Sequence, residues 1–306
     1  STSERAALEV DEAWLADTVA STHPRVVVLL NLSRDQMDRA NEVRFIAERW
    51  RKALESYGDD ELVVVANAND PLIVYAAEVR TTTLWADVPT SWVADALSCP
   101  KCTLAISHVG NVWHCTCGFA KPAHATTVLS DELVIDGAII DLELSMPGEF
   151  NRSNAAMALT ALHSLGVNLE EAARRVNAIH SVVGRFSVRR WQGHTLRLLL
   201  AKNPSGFAAM MATLPDDGAD IWVAINARVA DGHDPSWLYD APFEMLRGHT
   251  VYCFGDRRLD VATRLDYGRV DYVVVDDESA VPTSKEAISL LANYTAFSDW
   301  LARSES

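Results

Sequence analysis

The 306-residue sequence is short of lysine and of positive charge in general. Only 5 of its 27 basic residues are Lys, they face 42 acidic ones, and the net charge is -15. A field of that sign excludes non-specific attraction to nucleic acid or anionic lipid. Apolar runs of transmembrane length are missing, and stretches such as Val26 to Leu30 are strand-sized. Among the first hundred residues Gly58 is the sole glycine and Lys52 the sole lysine. No Gly-x-x-Gly-Lys-Ser/Thr phosphate loop is present there or later. Repeats and low-complexity segments are absent too. What remains is ordinary globular composition, 49% hydrophobic and 23% charged. It suits a packed core and about two domains.

Four of the five cysteines, Cys99, Cys102, Cys115 and Cys117, fall within nineteen residues. Cys-Pro-Lys-Cys followed by His-Cys-Thr-Cys-Gly reads as two knuckles facing one metal, because tetrahedral zinc takes thiolates two by two from tight turns. The second pair is one residue tighter than usual, so a mixed site in which His114 or His108 replaces a sulfur stays open, as do plain reduced thiols. A closed four-ligand site is structural, with no place left for substrate. The fifth, Cys253, sits in the strand-like run Thr250 to Phe254 and reads as a small buried hydrophobe.

Strands are expected at Arg25 to Leu30, the mark of a buried parallel strand, and at Leu62 to Ala66. Between them a helix is expected over about 42–57, stopped by Gly58. This βαβ rhythm is interrupted by the cysteine-bearing insertion, about 97–121. Short antiparallel strands follow over 126–144, then a helix over 151–165 and another from Gly166 onward. A second α/β rhythm starts near Arg185. Its strands are expected at 195–201, 221–226, 250–254 and 272–275, and its helices at 207–214, 243–246, 259–265 and 284–291. In mostly parallel sheets ligands sit beyond the carboxyl ends of the strands. The loops Lys202 to Gly206, Ala230 to Asp234 and Gly255 to Arg258 are therefore the ones to inspect.

Four polar segments stand out: Leu8-Glu9-Val10-Asp11-Glu12, Asn31-Leu32-Ser33-Arg34-Asp35-Gln36-Met37-Asp38-Arg39, Gly148-Glu149-Phe150-Asn151-Arg152-Ser153-Asn154, and Gly184-Arg185-Phe186 with Ala201-Lys202-Asn203-Pro204-Ser205-Gly206-Phe207. In this order they resemble the Mur ligase superfamily, the ATP-dependent amide-bond formers of cell-wall synthesis. With the zinc ribbon added, the combination resembles the MurT-type amidoligases of that superfamily over nearly the whole chain.

The resemblance implies a fold and a chemistry. Residues 1–186 would form a Mur-ligase central domain with an inserted zinc ribbon, and 187–306 a Rossmann-like α/β carboxy-terminal domain. The resemblance assigns Glu9 and Asp35 to Mg²⁺ and nucleotide, together with Asn151, Asn154, Arg185 and Asn203. Gln36 stands where the family carries a metal-binding His, which removes the basis for a second metal. With Mg-ATP as cofactor, the α-carboxylate of D-glutamate in the lipid II stem peptide would be phosphorylated and then amidated. Lys202 suits the developing phosphoryl charge. Ammonia would come from a separate GatD-type glutaminase, since Cys253 lacks the glycine-flanked elbow of an exposed nucleophile. In the loop Asp231-Gly232-His233-Asp234-Pro235-Ser236-Trp237, either Asp231 or Asp234 would serve the glutaminase junction, with Trp237 as an exposed interface anchor. The place of action implied is the cytoplasm, at the inner face of the plasma membrane. In the family the phosphate loop precedes the segment matching Glu9, so residue 1 is expected to fall inside the central domain of a longer protein. This stretch alone is then expected to show no ATP turnover. Two rival readings remain: a Mur-type ligase that adds an amino acid, and a non-catalytic docking module built around the ribbon.

Overall fold

The computed structural model describes residues 6–33, 43–58, 60–90, 92–129, 132–146, 148–179, 185–215, 219–276, 281 and 287–304. They divide into two compact units. One holds the described residues up to Glu143 together with Arg152–Val176, and the other Leu144–Asn151 and Asn177 onward.

The first unit opens with α1 (Leu15–Thr22) and β1 (Val26–Leu29), followed by α2 (Val43–Glu55), β2 (Val63–Asn67), α3 (Pro71–Ala77) and β3 (Leu84–Asp87). Residues 6–10, which include Glu9, adopt no regular element. In α2 the buried side chains are Val43, Ile46, Ala47, Trp50 and Leu54, spaced by three and four as one helical face requires. They pack on Val27, Leu29, Val64 and Ala66 of the sheet. Helix α3 starts because Asp70 accepts from the amides of Leu72 and Ile73 and Pro71 takes the first helical position.

The ribbon hairpin, β4 (Ser107–Val109) and β5 (Val112–His114), comes next, and then β6 (Thr126–Leu129), β7 (Glu132–Ile135) and β8 (Ala138–Asp141). The sheet order is β1-β2-β3-β6-β7-β8. The first four strands run parallel, β7 runs antiparallel to β6, and β8 antiparallel to β7. The expected antiparallel strands of 126–144 are these three. β1 is the edge strand, and the outward side chain of Val28 is exposed rather than buried on both faces. Helices α4 (Glu149–Ser164) and α5 (Leu169–Asn177) follow as expected.

The second unit contains β9 (Phe186–Trp191), β10 (His194–Leu200), α6 (Pro204–Met211), β11 (Asp220–Ala224), β12 (Thr250–Phe254), α7 (Arg258–Gly268), β13 (Asp271–Val274), β14 (Ala287–Ala292) and α8 (Tyr294–Arg303). The order is β13-β12-β11-β14-β10-β9, parallel except for the β9 edge. β9 turns into β10 through Gln192 and Gly193, both at positive φ, as a two-residue hairpin of matching twist needs. Both faces of the sheet are covered. Ile221 and Val223 face a core with Phe207, Trp237 and Phe243, while Trp222 and Ala224 face one with Trp191, Phe254 and Trp300.

Two expectations need correction. The helix expected over 284–291 is the central strand β14 as far as it is described. Ile288 to Ala292, the polar Ser289 included, are all buried between β10 and β11, and a strand buried on both faces carries no period to tell it from a helix. The helix expected over 243–246 is a single 3-10 turn. A smaller shift concerns α6, which begins three residues before the expected Phe207 because Asn203 caps it, its side chain accepting from the Gly206 amide at 2.7 Å.

Candidate functional site

The four cysteines converge. Cys99 and Cys102 flank a tight turn in which the Thr103 amide donates to the Cys99 carbonyl at 2.9 Å, and Thr103 sits at positive φ. Cys115 follows β5, and the Gly118 amide closes the second turn on its carbonyl at 3.0 Å. The four Sγ atoms lie within 4.8 Å of one another, with Cys99–Cys117 at 3.7 Å and Cys102–Cys115 at 3.4 Å. Zinc with bonds of about 2.3 Å spaces its tetrahedral sulfurs about 3.8 Å apart, so the thiol set fits that ion. Among the described residues neither His108 nor His114 joins the cluster.

The ribbon is docked on the first sheet. Trp113 is buried, and its indole N–H donates to the Ala68 carbonyl at 3.0 Å. Lys121 Nζ lies 2.8 Å from Asp87 Oδ1, and Asn69 Nδ2 donates to the same oxygen at 2.6 Å. Next to them Asp70 accepts from the Leu32 amide at 2.8 Å as well as capping α3. Its burial pushes its pKa up to about 6, against the pull of those three amides. The sequence signal for α3 is an Asn-Asp-Pro start of a short, wholly apolar helix.

The nucleotide-type candidates are spread over both units. Glu9 is exposed, in the segment before α1 whose Glu12 carbonyl accepts from Trp50 Nε1 at 2.9 Å. Asp35 lies outside the described residues, as do Gln36 and Asp38. Asn151 and Asn154 stand three residues apart in the first two turns of α4, half-buried and exposed respectively. Gly148 before them has φ 101°, where a Cβ would press into Phe150 and Thr213. Arg185 is exposed, and its carbonyl accepts from the Leu200 amide at 3.0 Å at the end of β10. Lys202 and Asn203 follow that same strand end. The fold therefore brings Arg185, Lys202 and Asn203 to one end of β10, while Glu9 and Asn154 belong to the first unit.

The Asp231 to Trp237 loop follows β11. Asp231 is buried and accepts from the Arg228 and Thr295 amides at 3.2 and 2.9 Å. Asp234 is exposed, and the Ser236 amide, at 2.8 Å, holds its carboxyl below the usual range. Trp237 departs from its expected role as an exposed anchor. The 3-10 turn Ser236–Tyr239 points it inward, where it packs on Phe207 with ring centres 5.3 Å apart. Beyond the ends of β11 and β12 a cleft of about 280 Å³ is lined by Asn226, Arg228, Asp256, Arg258 and Asp299, among others. Arg228 bridges Asp256 at 3.2 Å and Asp299 at 2.8 Å. Gly255 makes the approach possible, since a Cβ there would lie 2.4 Å from the Ile225 carbonyl oxygen. The sequence pointed to Gly255 to Arg258, but not to Asn226 or Asp299.

Comparison with known proteins places this geometry. Residues 200–297, covering most of the second sheet, match the family described as MurT ligase C-terminal. Over 97% of its length the chain is 24% identical to the lipid II isoglutaminyl synthase (glutamine-hydrolyzing) subunit MurT of Staphylococcus aureus (strain COL), and it covers 74% of that protein. The fold is that of the Mur ligases. A pseudomurein peptide ligase type C from Methanothermus fervidus superposes with TM-score 0.69 at 16% identity, covering 94% of this chain and 64% of that one. MurF from Acinetobacter baumannii gives 0.62 at 13%, covering 94% and 60%. The chain thus spans somewhat under two thirds of these solved ligases. The expected α/β Mur-ligase architecture and the MurT resemblance both stand, and no described helix is long and apolar enough to cross a membrane.

Proposed function

We propose that this chain acts as the ligase subunit of a glutamine-dependent amidase-coupled system that converts the D-glutamate α-carboxylate of lipid II to the D-isoglutamine amide. The observation that carries the reading is the likeness to MurT subunits along 97% of the chain, together with the MurT ligase C-terminal match over 200–297. Mg-ATP would supply the phosphoryl group that turns a poor electrophile, the carboxylate, into an acyl phosphate open to ammonia. Glu9 and Asp35 would hold the metal ion, and Asn151, Asn154, Arg185 and Asn203 the nucleotide. Lys202, at the end of β10, would offset charge that develops on the transferred group. The ribbon cysteines would hold a structural zinc. The work would take place in the cytoplasm on a membrane-borne substrate.

Ammonia would come from a GatD-type glutaminase docked on the carboxy-terminal domain, about 187–306. The loop after β11 supports a division of labour. Asp231 spends its carboxylate inside the fold, so the exposed Asp234 would be the one to meet a partner's catalytic His. The test is ADP release by the full gene product with lipid II and glutamine, with and without the co-expressed glutaminase. Release that needs glutamine and the partner supports the reading. Release that needs an amino acid instead identifies an amino-acid-adding ligase, and no release under either condition leaves a docking module.

A further inference from the structure

The zinc ribbon is too small to hold itself. Its packed cluster comprises Cys99, Ile106, Trp113, Cys115 and Phe119, completed by Val74 from α3. So few buried side chains do not pay for ordering some twenty-five residues, and in such modules metal binding supplies the folding free energy. Two of the four thiols lie in that same cluster beside Trp113, so what orders the metal site also orders the indole.

The contacts that leave the ribbon are concentrated on one place. Trp113 Nε1 donates to Ala68, the residue just after β2, at 3.0 Å. Lys121, buried to 7% side-chain exposure, reaches Asp87 at the last position of β3. Asp87 accepts from Asn69, and the Asn69 amide in turn donates to Asn67 at 2.8 Å. Asp70, the next residue, accepts from Leu32 beyond β1. A chain of hydrogen bonds thus runs from the ribbon through 67–70 to the ends of three parallel strands. Two further ties, Lys101 to Glu78 at 2.8 Å and Arg44 to the Pro100 carbonyl at 2.9 Å, fix the first knuckle on α3 and α2. The carboxyl edge of a parallel sheet is where ligands are held.

We propose that the metal-loaded ribbon is a clamp that positions the loop Asn67 to Asp70 and, through Asp70, the Leu32 end of β1, with Trp113 and Lys121 as its positioning residues. The clamp needs only the ribbon and the first sheet, so it holds whether or not the chain works as a ligase. With the metal removed, Trp113 and Lys121 lose their frame, and the Ala68 carbonyl and the Asp87 carboxylate lose their ribbon partners. The edge then loosens while the second unit is untouched.

The experiment is amide hydrogen exchange on the whole chain, zinc-loaded, stripped with a chelator, and reloaded with zinc. Stripping is expected to speed exchange at the amides of Leu32, Asn69, Leu72 and Ile73 by tenfold or more, zinc to restore it, and the amides of β11, β12 and β14 to stay as they were. Trp113→Phe and Lys121→Met are expected to keep one zinc per chain and still speed the same four amides several-fold. If Trp113→Phe loses its metal, Lys121→Met decides. Unchanged exchange on stripping, unchanged exchange in variants that retain zinc, an equal rise in the second unit, or a chain that takes up no zinc would each overturn the clamp.

Discussion

Asp231 and Thr295 are joined twice: Asp231 Oδ1 accepts the Thr295 amide at 2.9 Å, and Oδ2 accepts from the Thr295 hydroxyl. Thr295 lies in the first turn of α8, whose own flanking residue, Asn293, makes no side-chain cap there. A carboxylate from the loop after β11 therefore does the capping, favoured by the positive end of the helix dipole. Asn293 is instead spent on the strand end, donating to the Asn226 carbonyl and accepting from the Asn226 amide.

Asp231→Ala is accordingly expected to weaken the second unit by about 1–3 kcal/mol, the usual cost of leaving buried donors unpaired. Asp234→Ala should leave the urea midpoint within error. Equal midpoints for the two variants would show that Asp231 does not fasten α8.

Asp70 gives a pH dependence with a definite sign. Its folded pKa, about 6, lies above the ordinary carboxyl value of 3.8 because burial disfavours the charge. Between those values the folded chain binds more protons than the unfolded one, so this group's contribution is full at low pH and is lost as pH rises through about 6. By linkage the loss is at most about 3 kcal/mol. Urea midpoints at pH 4, 5, 6 and 7 are expected to fall less steeply in Asp70→Asn than in the unmodified protein. Parallel profiles would mean that Asp70 titrates normally.

Much of this was legible in the sequence, for reasons that differ by element. The Cys-x-x-Cys and Cys-x-Cys pairs announced the ribbon because metal chemistry fixes spacing. α2 declared itself by period, with Ile46, Trp50 and Leu54 on one face. β14 did not, because a strand buried on both faces has no period. Trp237 misled because its neighbours, Asp234, Pro235 and Ser236, are polar turn formers, while a 3-10 turn reverses the side chain into the core within one residue. The Lys121–Asp87–Asn69 contact joins residues up to 52 positions apart, and no local pattern reports such a pairing.

One zinc per chain is expected from elemental analysis of carefully purified protein. Cys115→Ser should lower zinc affinity and reduce the thermal stability of the first unit more than that of the second, since the Cys115 sulfur is both a ligand and part of the buried cluster. Protein that purifies without zinc, and takes none up, would rule out the metal site.

At neutral pH free ammonia is mostly ammonium, which has no lone pair to attack an acyl phosphate. A ligase that uses it gains from a glutaminase held against its own surface, where ammonia is released close to the acceptor. The loop after β11 offers one carboxylate to such a partner, Asp234, exposed and braced by the Ser236 amide. Trp237 is no probe of that contact. It fills the core against Phe207, and Trp237→Ala should cost about 3–5 kcal/mol of stability as a large core truncation. Asp234→Asn keeps the shape and removes the charge. In the complex with the glutaminase it is expected to cut glutamine hydrolysis at least tenfold with ATP binding unchanged, as loss of a residue that orients a catalytic His would. Asp231→Asn should act chiefly on stability. Glutamine hydrolysis at the unmodified rate in Asp234→Asn, with the partner still bound, would remove this loop from the glutaminase reaction.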